Sequence, residues 1–165
     1  YGVGSFLLDI AEGGKSFTEV WSTNERRKAN RRLEPVLGIH WTTPILHDGH
    51  LYAFSGRDEP DAHFRCVELE SGQLKWSRDE RWQKRGGKQP NVYGRGSAVM
   101  ADGRLFVLGE GGLLGLFEVN AEKPVELGRH QVPELRYPCW AAPILSDKRM
   151  VIRSEDYLIC FDVAK

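Results

Sequence analysis

Three short stretches of this chain bring together groups able to hold a ligand. They are His40-Trp41, Tyr93-Gly94-Arg95 and Tyr137-Pro138-Cys139-Trp140. Flat aromatic faces beside a cation and an imidazole suit a planar or sugar-like ligand, held by stacking and a few directed polar contacts. Trp41 and Trp140 serve equally well as apolar plugs between packed elements, so residue types alone leave both roles open. Other chemistry is thinly supplied. Gly109, Gly111, Gly112 and Gly115 are close together, but no Lys-Ser or Lys-Thr follows and no helical pattern begins there, so the run reads as a turn rather than a phosphate loop. Asp9, Glu68, Glu118 and Asp162 fall at equivalent places in a repeat, which marks them as scaffold carboxylates rather than a catalytic pair. No order of Ser, His and Asp argues for a catalytic triad.

The elements that must position these residues come from that repeat. Residues 41–52 run Trp-Thr-Thr-Pro-Ile-Leu-His-Asp-Gly-His-Leu-Tyr, and residues 140–151 run Trp-Ala-Ala-Pro-Ile-Leu-Ser-Asp-Lys-Arg-Met-Val. A looser copy spans residues 96–106, with Asp102-Gly103 at its centre. A period of roughly 40–50 residues, made of short apolar runs and tight turns, is the pattern of a β-propeller blade. Asp48-Gly49 is a two-residue turn that wants positive φ. In the clearest blade, residues 40–77, the expected strands are 43–46, 51–54, 64–69 and 73–77. The next blade, residues 96–130, repeats them at 98–100, 105–108, 114–119 and 125–130. Residues 140–165 supply strands at 143–145, 150–153 and 157–163, and residues 1–22 supply 6–10 and 18–22. The expected fold is therefore all-β: four-stranded antiparallel blades, two whole and two partial, or about three blade equivalents in all. Rings need about 4–8 blades, so the span reads as part of a longer protein. Its terminal blades then expose strand edges that further blades, or a second copy, must cover.

Composition limits the partners. The chain has 165 residues, with 23 basic and 23 acidic side chains that cancel. No global field draws it to nucleic acid or to an acidic membrane surface, and aromatics are not interleaved with its basic residues except at Trp82. No apolar run approaches the ~20 residues of a membrane-spanning helix. Charge is nevertheless distributed unevenly. The two long connections between blades are basic, with Arg26, Arg27, Lys28, Arg31 and Arg32 on one and Arg78, Arg81, Lys84, Arg85, Lys88 and Arg95 on the other. Shorter loops on the same expected face carry Asp58, Glu59, Asp61, Glu110, Glu155 and Asp156. Such a rim either captures an anion or is a solvated mosaic of paired charges. Cys66, Cys139 and Cys160 show no Cys-x-x-Cys spacing, and the apolar strand pattern around Cys66 and Cys160 reads as buried free thiols.

One segment carries a resemblance. Cys66, Glu68, Ser71, Gly72, Gln73 and Trp76 match the spacing of the tryptophan-docking repeat of PQQ-like (quinoprotein alcohol dehydrogenase-like) β-propellers, which reads Ala-x-Asp-x-x-Thr-Gly-Lys-x-x-Trp. Only Gly72 and Trp76 are identical. Glu68, Ser71, Gly72 and Trp76 form the expected docking motif: glycine gives the turn positive φ, and tryptophan wedges against the neighbouring blade. The first copy keeps Asp9 and Gly13, with the aromatic at Phe17 or Trp21. The third places Glu122 where the glycine belongs.

The resemblance implies a ring of about 7–8 blades and a bacterial protein, periplasmic or secreted. Two branches of the family differ in activity. The dehydrogenases hold PQQ and calcium on the ring axis, and characteristically carry an adjacent-cysteine disulfide over the cofactor. The non-catalytic members, similar to the lipoprotein scaffold of the outer-membrane barrel-assembly machine, hold no cofactor and bind proteins. No Cys-Cys pair occurs here, which favours the non-catalytic branch: a protein-interaction or ligand-binding scaffold with no catalytic or metal residues. A fragment of a PQQ- and calcium-dependent dehydrogenase is the alternative, so whether the chain is an enzyme stays open. Propeller geometry puts His40, Trp41, Tyr93, Arg95, Tyr137 and Trp140 at the mouth of the central channel, as the candidate ligand-binding residues.

Overall fold

The computed structural model describes residues 4–23, 36–56, 61–82 and 92–164. The basic residues Arg26, Arg27, Lys28, Arg31, Arg32, Lys84, Arg85 and Lys88, and the acidic Asp58 and Glu59, lie outside them. Among the described residues, thirteen strands form four antiparallel sheets, each a simple meander. The first sheet pairs β1 (Phe6–Ile10) with β2 (Phe17–Ser22) across a short 3₁₀ turn at Glu12–Gly14. The second runs β3 (Ile45–His47), β4 (His50–Ser55), β5 (His63–Glu68) and β6 (Leu74–Asp79). The third runs β7 (Gly96–Ala101), β8 (Arg104–Gly109), β9 (Leu113–Glu118) and β10 (Val125–Gln131). The fourth holds β11 (Ile144–Ser146), β12 (Arg149–Arg153) and β13 (Leu158–Asp162).

The local chemistry explains the strand ends. Asp48-Gly49, Asp102-Gly103 and Asp147-Lys148 all adopt positive φ at both positions, between 44° and 71°. These are the mirror-image turns whose twist suits a two-residue hairpin. The first strand of each copy begins later than the apolar run suggests wherever a proline precedes it. β3 starts after Pro44 and β11 after Pro143, because proline has no N–H to give a ladder. β7, with no proline, extends over six residues.

The sheets pack face to face, and each seam is a separate apolar cluster. Leu37, from the stretch that enters the second sheet, packs with Ala53 and Val67 on that sheet, and Trp21 of the first sheet bonds to the Leu69 carbonyl beside it. Tyr52, Phe54, Phe64, Cys66, Tyr93, Leu105, Val107 and Phe117 fill the next seam. Leu108, Val132, Leu135, Cys139, Met150 and Ile152 fill the last. The middle strands β4, β5, β8 and β9 are mostly buried, whereas β6 and β10 are mostly exposed. β7 lies against β3 and β4 on one side and β11 on the other. β3, β7 and β11, the first strands of the last three sheets, thus run beside one another, and the connections that enter them meet.

Candidate functional site

Those entering connections build a continuous row of rings. His40 packs on Trp41 with centroids 4.9 Å apart, and Trp41 meets Trp140 at 5.5 Å. Trp140 stands almost perpendicular to Tyr137 (6.0 Å, 86°), and Tyr137 meets Trp82 edge-on at 5.5 Å. Ser97 on β7 donates a hydroxyl hydrogen bond to the Trp140 carbonyl at 3.4 Å, which ties the two neighbouring connections together. Trp140 and Tyr137 are 45% and 47% exposed; Trp82 is buried. Five rings from three connections therefore form one arc whose Trp140 and Tyr137 are open to solvent.

Arg95 is the cation of the arc. Its guanidinium lies 4.6 Å from the Trp41 ring, and Nη1 is 3.3 Å from Nδ1 of His40. Glu110, 1% exposed, holds it from below. The carboxylate accepts from the Arg95 backbone N–H at 2.9 Å, from Nε at 3.3 Å and from Nη2 at 2.9 Å. Gly94 permits this approach. Its φ is +65°, and a Cβ there would fall 2.7 Å from Glu110 Oε1 and 2.8 Å from Trp82 Nε1. The Glu110 backbone also bridges neighbours: its N–H donates to the Tyr93 carbonyl at 3.0 Å, and its carbonyl accepts from Cys139 N–H at 2.9 Å.

Of the six candidate ligand residues, five meet in this arc. Tyr93 does not. Its side chain is fully buried in the seam between the second and third sheets, where its hydroxyl donates to Glu126 at 2.8 Å. Arg78 and Arg129 sit over the ring, each 5.8 Å from its centroid. Arg78 also pairs with buried Glu80 at 2.7 Å and with Glu126 at 2.6 Å. Burial pushes the Glu80 carboxyl up, against the pull of the Tyr93 N–H and of Arg78. Burial also raises Glu126, but hydrogen bonds from Arg129, Tyr93 and Arg78 outweigh it and leave that carboxyl below its usual range. The basic residues described on the connection into β7 are thus answered by carboxylates: Arg78 by Glu80 and Glu126, Arg81 by Asp79, and Arg95 by Glu110.

The docking motif works through the seams. Gly72 takes φ +66°, and the Ser71 hydroxyl donates to the Glu68 carboxylate while accepting from Gln73 N–H at 3.1 Å. Trp76 reaches the next sheet and donates its indole N–H to the Asn120 carbonyl at 2.9 Å. Trp21 does the same one seam earlier, donating to the Leu69 carbonyl at 2.7 Å. The aromatic of the first copy is therefore Trp21, not Phe17. In the third sheet, Gly128 pairs with Leu116 in the register that Trp76 has with Cys66 and Trp21 has with Leu7. That sheet has no docking tryptophan.

No family model and no curated protein matches the sequence. Solved structures do match. The quinohemoprotein alcohol dehydrogenase ADHIIG of Pseudomonas putida HK5 aligns with 79% of this chain at 18% identity and a TM-score of 0.53. BamB from Moraxella catarrhalis aligns with 97% at 12% identity and a TM-score of 0.56. The fold is that of a β-propeller. The chain spans 20% of the dehydrogenase and 46% of BamB, and its sheets form a partial propeller in which β7 lies against both β3 and β11.

Two residues of this propeller segment's arc, Trp82 and Glu110, are absent from the sequence-derived candidates. Trp82 is the one aromatic embedded among the basic residues before β7, and Glu110 is a carboxylate set between glycines, but both signals are weak until folding brings them to Gly94. The carboxylates at the arc do not fit a calcium ion. Glu110 already accepts three hydrogen bonds from Arg95, and among the described residues no three His, Cys, Asp or Glu side chains gather as a metal site. Among the same residues, no helix is long and apolar enough to cross a membrane. Cys66 and Cys139 are buried and free; Cys160, expected to be buried, is exposed on β13. It lies on the face opposite Ile159 and Phe161, which pack into the last seam.

Proposed function

We propose that this chain is part of a non-catalytic PQQ-like propeller that acts as a protein-interaction or ligand-binding scaffold, in the periplasm or outside the cell. The observation that carries the reading is the arc itself. Two of its rings, Trp140 and Tyr137, are exposed, while Arg95 and Glu110 are matched to each other. Arg95 and Glu110 neutralise one another. Cys139 beneath them has its thiol pushed up to about 11, first by burial and then by the Glu110 carboxylate, which makes it a poor nucleophile. Such a site recognises by stacking and shape.

The likeness in fold to a quinohemoprotein dehydrogenase supports the one alternative, a fragment of a PQQ- and calcium-dependent enzyme. The two readings separate in a dye-reduction assay with added PQQ, calcium and a primary alcohol. The scaffold reading expects no quinone retained on gel filtration and no dye reduced. Quinone-dependent reduction above the protein-free rate overturns it.

The apolar sheet faces extend the scaffold role. Phe6, Ile10, Phe17 and Val20 are exposed on the first sheet, as are Ile144, Tyr157 and Leu158 at the fourth. On this reading they meet further blades of the same protein or a second copy.

A further inference from the structure

We infer that the arc of Trp82, Tyr137, Trp140, Trp41 and Arg95 is a docking groove for a neutral, proline-rich extended peptide segment. This rests on the scaffold reading above and names its ligand class.

Charge narrows the choice first. Arg95 is only 7% exposed and is held against Glu110. The arc thus presents no net cation to draw phosphates or carboxylates, and its own guanidinium already occupies a face of Trp41.

Hydrogen-bonding capacity narrows it further. Among the described residues, the indole N–H groups of Trp41 and Trp82 are buried with no acceptor, and the buried hydroxyl of Thr42 has no partner. An orphaned donor of this kind costs about 1–3 kcal/mol, and indole can donate only. The two exposed rings rest on the two indoles that carry these donors: Tyr137 on Trp82 and Trp140 on Trp41, both at 5.5 Å. On this proposal, displacement of an exposed ring by the ligand lets a ligand carbonyl reach the donor of the indole that the ring adjoins.

The fitting ligand is therefore rich in acceptors, poor in donors, uncharged, and able to stack on aromatic faces. A polyproline segment meets every condition. Each proline supplies a carbonyl and no N–H, its ring stacks on Tyr and Trp, and the polyproline II helix is already extended before binding. A glycan fits less well, because each sugar hydroxyl brings a donor along with its acceptors, and the carboxylate at this site is engaged by Arg95.

The test is titration of decaproline into the chain, followed by tryptophan fluorescence and calorimetry. Saturable binding is expected. Trp140→Ala and Tyr137→Ala should each weaken it about tenfold or more, the scale of an interface anchor, and Trp140→Phe should recover most of the loss. Because both rings are half-exposed, an unchanged circular dichroism spectrum will show that the fold survives. The ligand class is overturned if decaproline does not bind, or binds Trp140→Ala as well as the parent. A neutral oligosaccharide titrated in parallel separates the two levels. If the sugar binds through Trp140 and decaproline does not, the ligand class fails while the scaffold reading stands. Quinone binding with dye reduction overturns both.

Discussion

The indole of Trp21 lies directly on Gly72, a residue of the following sheet. A Cβ built on Gly72 would fall 2.8–2.9 Å from three atoms of that ring, while the ring N–H reaches the Leu69 carbonyl at 2.7 Å. One glycine thus serves two purposes, a left-handed turn within its own sheet and a flat seat for its neighbour's tryptophan.

Gly72→Ala should therefore destabilise more than a turn glycine ordinarily does. Gly103 has the same backbone (φ +68°) but nothing within 4 Å of its Cβ position. Gly103→Ala is expected to cost about 1 kcal/mol of backbone strain. Gly72→Ala adds a clash with a ring, for about 2–4 kcal/mol in all. At about 2–4 °C per kcal/mol for a domain of this size, the two variants differ by several degrees in thermal unfolding. Equal melting temperatures would show that Trp21 yields freely.

Much of this was legible in the sequence, and the limits have physical causes. Asp48-Gly49 and Asp102-Gly103 declare their hairpins because mirror-image turns require φ that few residues tolerate. Gly72 and Trp76 declare a seam because both are demanded by one contact. Tyr93 is different. It stands two residues from Arg95 in a segment that reads as a channel lining, yet its partners Arg78, Glu126 and Arg129 come from the outer strands of two sheets. Nothing local to residue 93 encodes that meeting. Cys160 sits in an apolar run like that of Cys66, but burial depends on which face of the strand a neighbouring sheet covers, and alternation alone does not say which.

Glu110 and Arg95 should behave as a unit. Removing one partner of a buried, hydrogen-bonded ion pair costs about 3–5 kcal/mol, because the other charge is left without compensation. Glu110→Ala is expected to fall in that range, with a melting temperature lower by roughly 6–20 °C. Against Arg95→Met and Glu110→Leu alone, the double variant should recover part of the loss, the Arg95 backbone N–H being left without its acceptor. A thermal double-mutant cycle with additive effects would mean that the pair is not coupled.

Gly128 offers the opposite kind of change. It occupies the register place of Trp21 and Trp76, its φ is not positive, and its Cβ position is open for 4 Å. Glycine inside a strand is costly because it restrains a very flexible chain. Gly128→Ala should raise stability by about 0.5–1 kcal/mol, read as a melting temperature higher by a few degrees. A decrease would show that something not visible in the strand needs the missing side chain.

The cysteines should separate by reactivity. Cys160 is exposed, whereas Cys66 and Cys139 are buried. Burial raises both buried thiols, Cys139 to about 11. Alkylation proceeds through the thiolate, and at pH 8 a thiol with a pKa of about 11 is ionised to roughly one part in a thousand. Iodoacetamide on the 165-residue chain at pH 8 is expected to label Cys160 within minutes. Cys66 and Cys139 should react only as fast as the seams open, and in urea all three should converge. Peptide mapping by mass spectrometry after timed quenching reads each site. Labelling of Cys139 as fast as Cys160 under native conditions would mean that the last seam, where Cys139 packs with Leu135 and Met150, opens far more readily than its burial implies.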